Sequence, residues 1–287
     1  MSDEASGQAG GACWAVVLAA GSGERLGIGR PKAFVPLGGQ PLLYWSLRAF
    51  ARHEAVTDLV VVTPPGWDEM LLKEILAAFS EQMGPDAEKI RGAVTGGAKR
   101  QASSRLGVEA VRDLRAEGSC AAENQTGVEP VVLVHDAARP LVPLRMIDDL
   151  LERLWAPRAV DAKPVGVIPV VPVADTLKEV AWPDEQLAQR AGVGDRRAWE
   201  QVGHGSVART VSRDRLWQAQ TPQGFPFGPL LAVHQEAAAQ NYLATDEAGL
   251  FEWNGWAIET VPGSTANLKV TYPEDLALLA HAMAERV

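Results

Sequence analysis

The sequence predicts an α/β fold with a doubly wound, mostly parallel sheet and a projecting β-arm. Short apolar, β-branched runs alternate with helix-length amphipathic segments over most of the 287 residues, which is typical of strand–helix–strand units. A glycine-rich turn directly follows the first apolar run. The alternation stops between about residues 172 and 216, where a polar, β-like stretch predicts an arm outside the main sheet.

The first strand and the turn behind it lie in residues 14–32, WAVVLAAGSGERLGIGRPK. The run AVVLA is apolar on both faces, as a central parallel strand requires, and we expect the strand to stop at Gly21. Gly21 and Gly23 permit positive φ and leave no Cβ in the way, so a phosphate group can approach backbone N–H groups. Arg25 and Lys32 add positive charge at this loop.

Two common phosphate-binding loops do not match this turn. A P-loop ends in Gly-Lys-Ser/Thr, and a dinucleotide-binding turn needs a third glycine where this chain has Leu26. What remains is Gly-x-Gly-x-Arg followed by Pro31 and Lys32. On this stretch alone, a tight turn with solvated charges remains an alternative.

Composition and charge limit the class of protein. The net charge of −9 argues against a nucleic-acid surface, which needs clustered Lys and Arg. No apolar run reaches the roughly 18 residues of a membrane span, and residues 1–11 lack the regions of a secretory signal, so we expect a cytoplasmic protein. Cys13 and Cys120 lack metal-ligand spacing, and we interpret them as inert thiols.

Residues 1–12 are rich in Gly, Ala and Ser and are expected to form a disordered tail before a single domain over 13–287. Apolar periodicity and Gly or Pro boundaries place the elements of the first half. These are a helix from Pro41, a strand at 59–62, a helix at 67–79, a weak strand at 93–95 and a helix at 101–115. The helix at 101–115 follows a second glycine turn, Gly96-Gly97, so its N-terminus is expected to face a ligand.

A strongly β-branched strand at 131–134 delivers His135, Asp136 and Arg139 at its carboxyl end. In a parallel sheet this edge binds ligands. The elements predicted after it, apart from the arm, are a helix at 144–155, a strand at 165–170, a helix at 229–240, a helix from 245 or 246, a strand at 257–261 and a last helix from Pro273.

The stretch 172–216 is predicted to be a dimerisation arm. It has too little core to be stable alone, and exposed sheet edges are usually covered by a partner. We therefore expect a homodimer. Trp217, directly after the arm, is predicted to be a core residue.

Six motifs, in order along the chain, resemble one family. They are LAAGSGERL with Arg30-Pro31-Lys32, Gly96-Gly97 with Arg100 and Ser103, VHDAARP, VADTLK, WQAQTPQGF, and NLKVT with Pro273-Glu274-Asp275. From about Trp14 to the last helix, the chain is similar to the 2-C-methyl-D-erythritol 4-phosphate cytidylyltransferases of the non-mevalonate isoprenoid pathway. The first motif is shared by many sugar-nucleotide pyrophosphorylases, whereas VHDAARP with DTLK and TPQ is much narrower.

The resemblance implies a Rossmann-like nucleotidyltransferase that uses Mg²⁺. Such an enzyme transfers CMP from CTP to the phosphate of 2-C-methyl-D-erythritol 4-phosphate and releases pyrophosphate. The chain departs from the family's usual residues at Ala33, Ala98, Ser104 and Gly249, and its arm is longer by about a dozen residues. Of these, Ala98 affects base recognition, because the family often has an acidic residue there.

The implied reaction needs no catalytic base, because a phosphomonoester has its second pKa near ~6 and arrives mostly as a dianion. Cations and backbone N–H groups must instead offset the charge of the transition state. The resemblance implies the following roles. The catalytic residues are Arg25, Lys32, Arg213 and Lys269. The nucleotide-binding residues are Ala19, Ala20, Gly21, Gly23, Gly97, Ser103 and Ala137. The substrate-binding residues are Asp136, Arg139, Thr176 and Thr221.

Asp136 is also a candidate partner of Mg²⁺, since this cation takes phosphate oxygens, water and one or two carboxylates. The alternative is that Asp136 caps the following turn, and Arg213 could be an exposed charge only. His135 is expected to be structural. In the resembling family the arm is swapped, so Thr176 and Arg213 would reach the loop of the other subunit.

Two other functions remain open at this point. The chain could be a cytidylyltransferase for another polyol phosphate, such as ribitol 5-phosphate. It could also be a catalytically silent nucleotide-binding module, although that would leave both Arg25 and Lys32 at the loop unexplained.

Overall fold

The computed structural model describes residues 11–23, 26, 29–66, 70–118, 128–159, 161–190 and 200–284. The predicted tail (apart from residues 11 and 12), Arg25 and Cys120 lie outside these ranges.

The strands in chain order are β1 (Cys13–Leu18), β2 (Pro36–Leu37), β3 (Gln40–Pro41), β4 (Asp58–Thr63), β5 (Ile90–Thr95), β6 (Val131–Asp136), β7 (Val165–Pro172), β8 (Leu177–Ala181), β9 (Ser206–Val211), β10 (Trp217–Ala219), β11 (Gln223–Pro226) and β12 (Ala257–Pro262). The helices are α1 (Leu42–Arg52), α2 (Met70–Met83), α3 (Arg100–Ala116), α4 (Leu144–Leu154), α5 (Glu185–Arg190), α6 (Phe227–Ala239), α7 (Glu247–Trp253) and α8 (Pro273–Ala284). Short 3₁₀ turns cover Lys32–Phe34 and Gly84–Lys89.

The main sheet has the order β10-β7-β11-β6-β1-β4-β5, and β12 pairs with β7. The pairs β1–β4, β1–β6, β4–β5 and β7–β12 are parallel, whereas β10 and β11 run antiparallel to their neighbours. β1, β4 and β6 are buried along their whole length, as strands covered on both faces must be. The prediction of a mostly parallel α/β sheet is confirmed.

Helices cover both faces of this sheet. One apolar cluster joins one face of β1 and β4 to residues of α1 and α4, with Phe50 and Ile147 fully buried. A second cluster joins the other face to residues of α3, α6 and α7, with Val108 and Phe251 fully buried. The alternation of strands and helices along the chain therefore produces the doubly wound arrangement.

A smaller apolar cluster fixes the chain segment before α8. Leu26, Leu42 and Leu141 pack there with Val270 and with Leu279 of α8. The segment that carries Lys269 is thereby held against the loop after β1, although most of the chain separates the two in sequence.

The arm contains a separate two-stranded antiparallel sheet, in which β8 pairs with β9. Every residue of β9 except Val211 is exposed. β8 and β9 confirm β-structure in part of the predicted arm at 172–216, and α5 also lies within this stretch, whereas residues 191–199 lie outside the described residues.

Some local predictions are wrong. Trp217 is 58% exposed rather than in the core, because β10 pairs with the end of β7, next to the arm. β1 ends at Leu18, before the predicted stop at Gly21. Gly23 has a φ of +76°, but Gly21 has no positive φ. Most other boundaries differ by a few residues, because the ends of an element depend on contacts that periodicity does not report.

Cys13 is fully buried in β1, and burial raises the pKa of its thiol far above the ordinary value. This supports the interpretation of an inert thiol. Within the described ranges, no helix combines the length and the apolar character needed to cross a bilayer.

Candidate active site

A cavity of about 540 Å³ opens at the carboxyl ends of β1, β5 and β6. The residues that line it are Leu18, Ala19, Ala20, Gly21, Ser22, Gly23, Lys32, Ala33, Gly97, Ala98, Lys99, Arg100, Ser103, Asp136, Ala138 and Lys269. This is the edge at which open parallel sheets bind ligands. The cavity gathers most of the predicted nucleotide-binding residues from two glycine turns, together with several cations.

The loop after β1 requires glycine at position 23. Its φ of +76° is unfavourable for other residues, and a Cβ there would lie 2.9 Å from both the Arg30 carbonyl oxygen and the Lys32 backbone nitrogen. The Lys32 N–H donates to the Gly21 carbonyl at 3.2 Å. The loop therefore folds back on itself and brings Lys32 to the wall of the cavity.

Lys32 is an unusually buried cation. It lies in the first turn of the 3₁₀ segment with 9% of its surface exposed, and its Nζ donates to the Val270 carbonyl oxygen at 2.7 Å. An ammonium group loses hydration when it is buried and therefore requires polar partners. The contact with Val270 supplies one such partner and fixes the direction of the side chain beside the cavity.

The second glycine turn leads into α3. A Cβ on Gly96 would come within 2.6 Å of the Ala20 Cβ and 2.7 Å of the Ser103 Oγ, so only glycine allows the two turns to approach this closely. The Gly97 N–H donates to the Ser103 Oγ at 3.1 Å. The N-terminus of α3 thus faces the cavity, where its free N–H groups favour an anion.

Asp136, at the end of β6, accepts from two cations. Its Oδ1 lies 3.0 Å from the Arg100 Nε, and its Oδ2 lies 2.6 Å from the Lys269 Nζ. Burial raises the pKa of this carboxyl, but Arg100 and then Lys269 lower it by more, so that the pKa falls well below its ordinary value. Asp136 is therefore ionised, and its carboxylate is held from both sides.

Arg100 also binds a second carboxylate, that of Glu247 at the start of α7. Its Nη1 and Nη2 donate to Oε1 and Oε2 of Glu247, both at 3.0 Å. Only 1% of the Glu247 side chain is exposed. Burial raises the pKa of Glu247, but Arg100 outweighs this, so the pKa is lowered overall.

Sequence reasoning assigned no role to Glu247 and used Arg100 only as part of a motif. The two residues are 147 positions apart, and no periodic pattern connects them. The available signal was the pair of acidic residues Asp246 and Glu247 at the start of a helix, which is most simply read as a capping preference. Asp246 does cap α7, through the Gly249 N–H at 3.0 Å.

Three predicted substrate-binding or nucleotide-binding residues lie next to the cavity but do not line it. Thr221 is buried, and its Oγ1 accepts from the Asp136 N–H at 3.1 Å. The Arg139 Nη1 donates to the Asn267 carbonyl oxygen at 2.6 Å. Ala137 is fully buried, and the cavity wall is formed by the adjacent Ala138.

His135 belongs to the support of the site. Its Nδ1 lies 3.2 Å from the Thr221 hydroxyl, and its Nε2 lies 3.0 Å from the Arg139 carbonyl oxygen. Burial lowers the pKa of His135 to about 3. The neutral ring can therefore accept from Thr221 at Nδ1 while its Nε2–H donates to Arg139, in agreement with the structural role predicted for it.

Thr176 and Arg213 are not brought to the cavity of their own chain. Both are exposed, Thr176 directly before β8 and Arg213 after β9. Arg25 lies outside the described residues.

The comparisons with known proteins agree with one another. The sequence matches the family model described as "IspD: 2-C-methyl-D-erythritol 4-phosphate cytidylyltransferase" over residues 13–286. A protein of that name from Frankia casuarinae is 38% identical over 95% of this chain and 81% of its own length. Another, from Syntrophotalea carbinolica, is 34% identical over 92% of this chain and 93% of its own.

Solved structures share the fold. A crystal structure of 4-diphosphocytidyl-2C-methyl-D-erythritol synthase superimposes with a TM-score of 0.66 at 28% identity and covers 95% of this chain and 99% of its own. The 2-C-methyl-D-erythritol 4-phosphate cytidylyltransferase of Thermus thermophilus gives a TM-score of 0.61, also at 28% identity, over 95% and 98% of the two chains.

Proposed function

The chain belongs to the IspD family of 2-C-methyl-D-erythritol 4-phosphate cytidylyltransferases, and we propose that the cavity beside Lys32 is where its reaction takes place. The chain is a nucleotidyltransferase that makes 4-diphosphocytidyl-2-C-methyl-D-erythritol from CTP. The observation that carries the assignment of the site is the buried Lys32 ammonium, which lines the same cavity as residues of both glycine turns at the carboxyl edge of the sheet.

The reaction joins two anions. A phosphate oxygen of the substrate forms a bond to the α-phosphorus of CTP, and the bond from that phosphorus to the bridging oxygen breaks, releasing pyrophosphate. The nucleophile is already ionised at pH 7, so a proton acceptor is not needed. The main contribution of the site is to hold both anions and to stabilise the negative charge of the transition state.

Lys32 is the residue proposed to stabilise this charge, with Arg25 as its proposed companion from the same loop. The backbone N–H groups around Gly21, Gly23 and Gly97 would hold the phosphates and the nucleoside of CTP. Because their positions are set by the folded loops, they need little reorganisation during the reaction. The net charge of the whole chain is −9, whereas the cations are concentrated at this site. Such a local concentration of positive charge attracts an anionic substrate.

The polyol phosphate is proposed to bind on the side of the cavity formed by Asp136 and Lys269. Asp136 can accept from polyol hydroxyls, and Lys269 can attract the phosphate. Arg139 and Thr221 lie directly behind this side. Both are proposed substrate contacts, which requires Arg139 to exchange its present partner Asn267 for the substrate.

We propose that residues 13–287 form one domain that acts as a homodimer. In this dimer the arm at 172–216 would place Thr176 and Arg213 at the cavity of the other subunit. The support is that both residues are exposed, and that Val202 is the only buried apolar residue among the described residues of the arm.

A divalent cation, proposed to be Mg²⁺, fits this site as a phosphate-bound ion. Among the described residues there is no group of three or more His, Cys, Asp or Glu side chains that could hold a metal by itself. Mg²⁺ often binds through one carboxylate plus phosphates and water, and Asp136 lines the cavity as such a carboxylate. When bound, the ion would offset phosphate charge.

The assignment is tested by measuring pyrophosphate release with CTP, Mg²⁺ and each polyol phosphate in turn. We expect turnover with 2-C-methyl-D-erythritol 4-phosphate and much weaker turnover with ribitol 5-phosphate. CTP binding without turnover of any polyol phosphate would contradict the proposed site.

A further inference from the structure

Arg100 connects two carboxylates that come from distant parts of the chain. It binds Glu247 through both terminal nitrogens and Asp136 through its Nε. Lys269 then binds the free oxygen of Asp136 at 2.6 Å. The result is a continuous chain of alternating charges, Glu247–Arg100–Asp136–Lys269, which runs from a buried carboxylate to the wall of the cavity.

The buried end of this chain of charges is firmly held. Glu247 begins α7, and the Gln223 side chain fixes this point by donating to Asp246 at 2.8 Å and accepting from the Ala248 N–H at 3.2 Å. Gln101, next to Arg100, likewise accepts from the Ala244 N–H at 2.9 Å. The start of α3 and the segment that leads into α7 are therefore joined by hydrogen bonds. The Arg100 guanidinium is held in place by Glu247.

The geometry leaves Arg100 little freedom. A bidentate Arg–carboxylate pair fixes the plane of the guanidinium, so the direction of the Nε–H towards Asp136 follows from the position of Glu247. Arg100 is also the largest favourable influence on the charge of Asp136. A lysine could neutralise one carboxylate but could not bind both in this arrangement.

We propose that Glu247 is a positioning residue, which acts through Arg100 to orient the Asp136 carboxylate towards the polyol phosphate. This rests on the substrate-binding role proposed for Asp136.

A double-mutant cycle between Glu247→Gln and Asp136→Asn tests the proposal. We expect Glu247→Gln alone to lower kcat/KM for the polyol phosphate by about 10- to 100-fold, the scale for a small misplacement of a binding group. The KM for CTP should change much less. When Asp136→Asn is already present, Glu247→Gln should lower kcat/KM for the polyol phosphate by less than about threefold. The two effects are not additive because both act through Asp136.

Glu109→Gln is the matched control. Glu109 pairs with Arg105 on α3, with 2.6 Å between Oε1 and Nη1, and neither residue lines the cavity. The substitution should therefore leave the kinetics unchanged. If the Glu247→Gln variant does not fold, Arg100→Lys replaces it in the double-mutant cycle. The lysine keeps the positive charge but cannot form the bidentate pair with Glu247.

The outcomes are distinct. An undiminished effect of Glu247→Gln in the Asp136→Asn background would overturn the positioning role, since Glu247 would then act independently of Asp136. Full activity of Asp136→Asn itself would overturn both this inference and the proposed role of Asp136. Failure of the wild-type protein to use the polyol phosphate would instead overturn the proposed site as a whole.

Discussion

At the cavity, charged side chains are buried and paired within the chain, whereas in the arm they stand in solvent. Asp136 and Glu247 share Arg100 under cover of the fold, while Glu179 and Arg209 pair across β8 and β9 with both side chains largely exposed. Exposed ion pairs contribute about 0–1 kcal/mol at most. Pairing at the cavity therefore fixes the orientation of the paired side chains, whereas pairing in the arm cannot by itself hold the arm in place.

The largest expected effect comes from removing the buried ammonium group of Lys32 from the cavity. Lys32→Ala should lower kcat by ~10² to 10³ and leave CTP binding largely intact, the scale for losing one preorganised donor to the transition state. Steady-state kinetics and CTP titration measure the two effects.

Lys73→Ala, on the exposed surface of α2, is the control and should match wild type. A parallel loss of turnover and CTP affinity would show that Lys32 binds the ground state instead.

Mixing two inactive variants tests whether the arm completes the site of a partner. Lys32→Ala and Arg213→Ala homodimers should each be nearly inactive. In a heterodimer, one site carries both lesions and the other neither, so random exchange should restore about a quarter of wild-type activity. No recovery, with exchange demonstrated by a tag, would place Arg213 at the cavity of its own chain.

The exposed apolar surface of the arm gives a smaller effect. Val207 in β9 is 60% exposed, and the proposed homodimer would cover it. Val207→Asp should weaken the dimer by about 10²-fold, because each interface loses apolar burial and gains a charge. Sedimentation over a dilution series measures this. Leu278→Asp, at an equally exposed position on α8, should have no effect, and a dimer unchanged by Val207→Asp would contradict the coverage of β9.

The smallest effect concerns stability in acid. Burial lowers the pKa of His135 to about 3 and that of His234 to about 4, whereas histidine in the unfolded chain titrates near ~6.5. Below about pH 6.5 the unfolded state binds more protons than the folded state. The free energy of unfolding is therefore highest above this pH and decreases as the pH falls. The free energy of unfolding should therefore fall by about 1.5 kcal/mol for each of these histidines between pH 6.5 and 5.

Urea unfolding across this range measures the loss. His234→Gln should flatten the pH dependence, and the exposed His204 offers the control substitution. An equally steep dependence of unfolding free energy on pH after His234→Gln would remove that histidine as a cause.

The acid limb of the pH–activity profile should follow protonation of the substrate phosphate, with a pKa near ~6.

The sequence predicts the elements whose cause is local. β1 and β6 are recognisable because strands covered on both faces are apolar throughout, and the two glycine turns are recognisable because a close approach excludes a Cβ. The same reasoning places Asp136 at the ligand edge. Lys32 is predicted as a cation of the loop, but its burial depends on the Val270 carbonyl and is visible only in three dimensions.

The partnership of Arg100 with Glu247 could not be predicted, because it depends on how α3 and α7 pack on one face of the sheet. The prediction that Trp217 lies in the core rests on the usual burial of large aromatic residues. That preference fails where a strand pairs at the base of an arm.

The hydrogen bond from Lys32 to Val270 joins positions that are 238 residues apart. During synthesis, the glycine loop is made 238 residues before the partner of its lysine, so this contact cannot form until Val270 has left the ribosome. Contacts of such separation form late, because the intervening loop must close first. The central strands β1, β4, β5 and β6 are therefore synthesised well before Lys269, which completes the wall of the cavity.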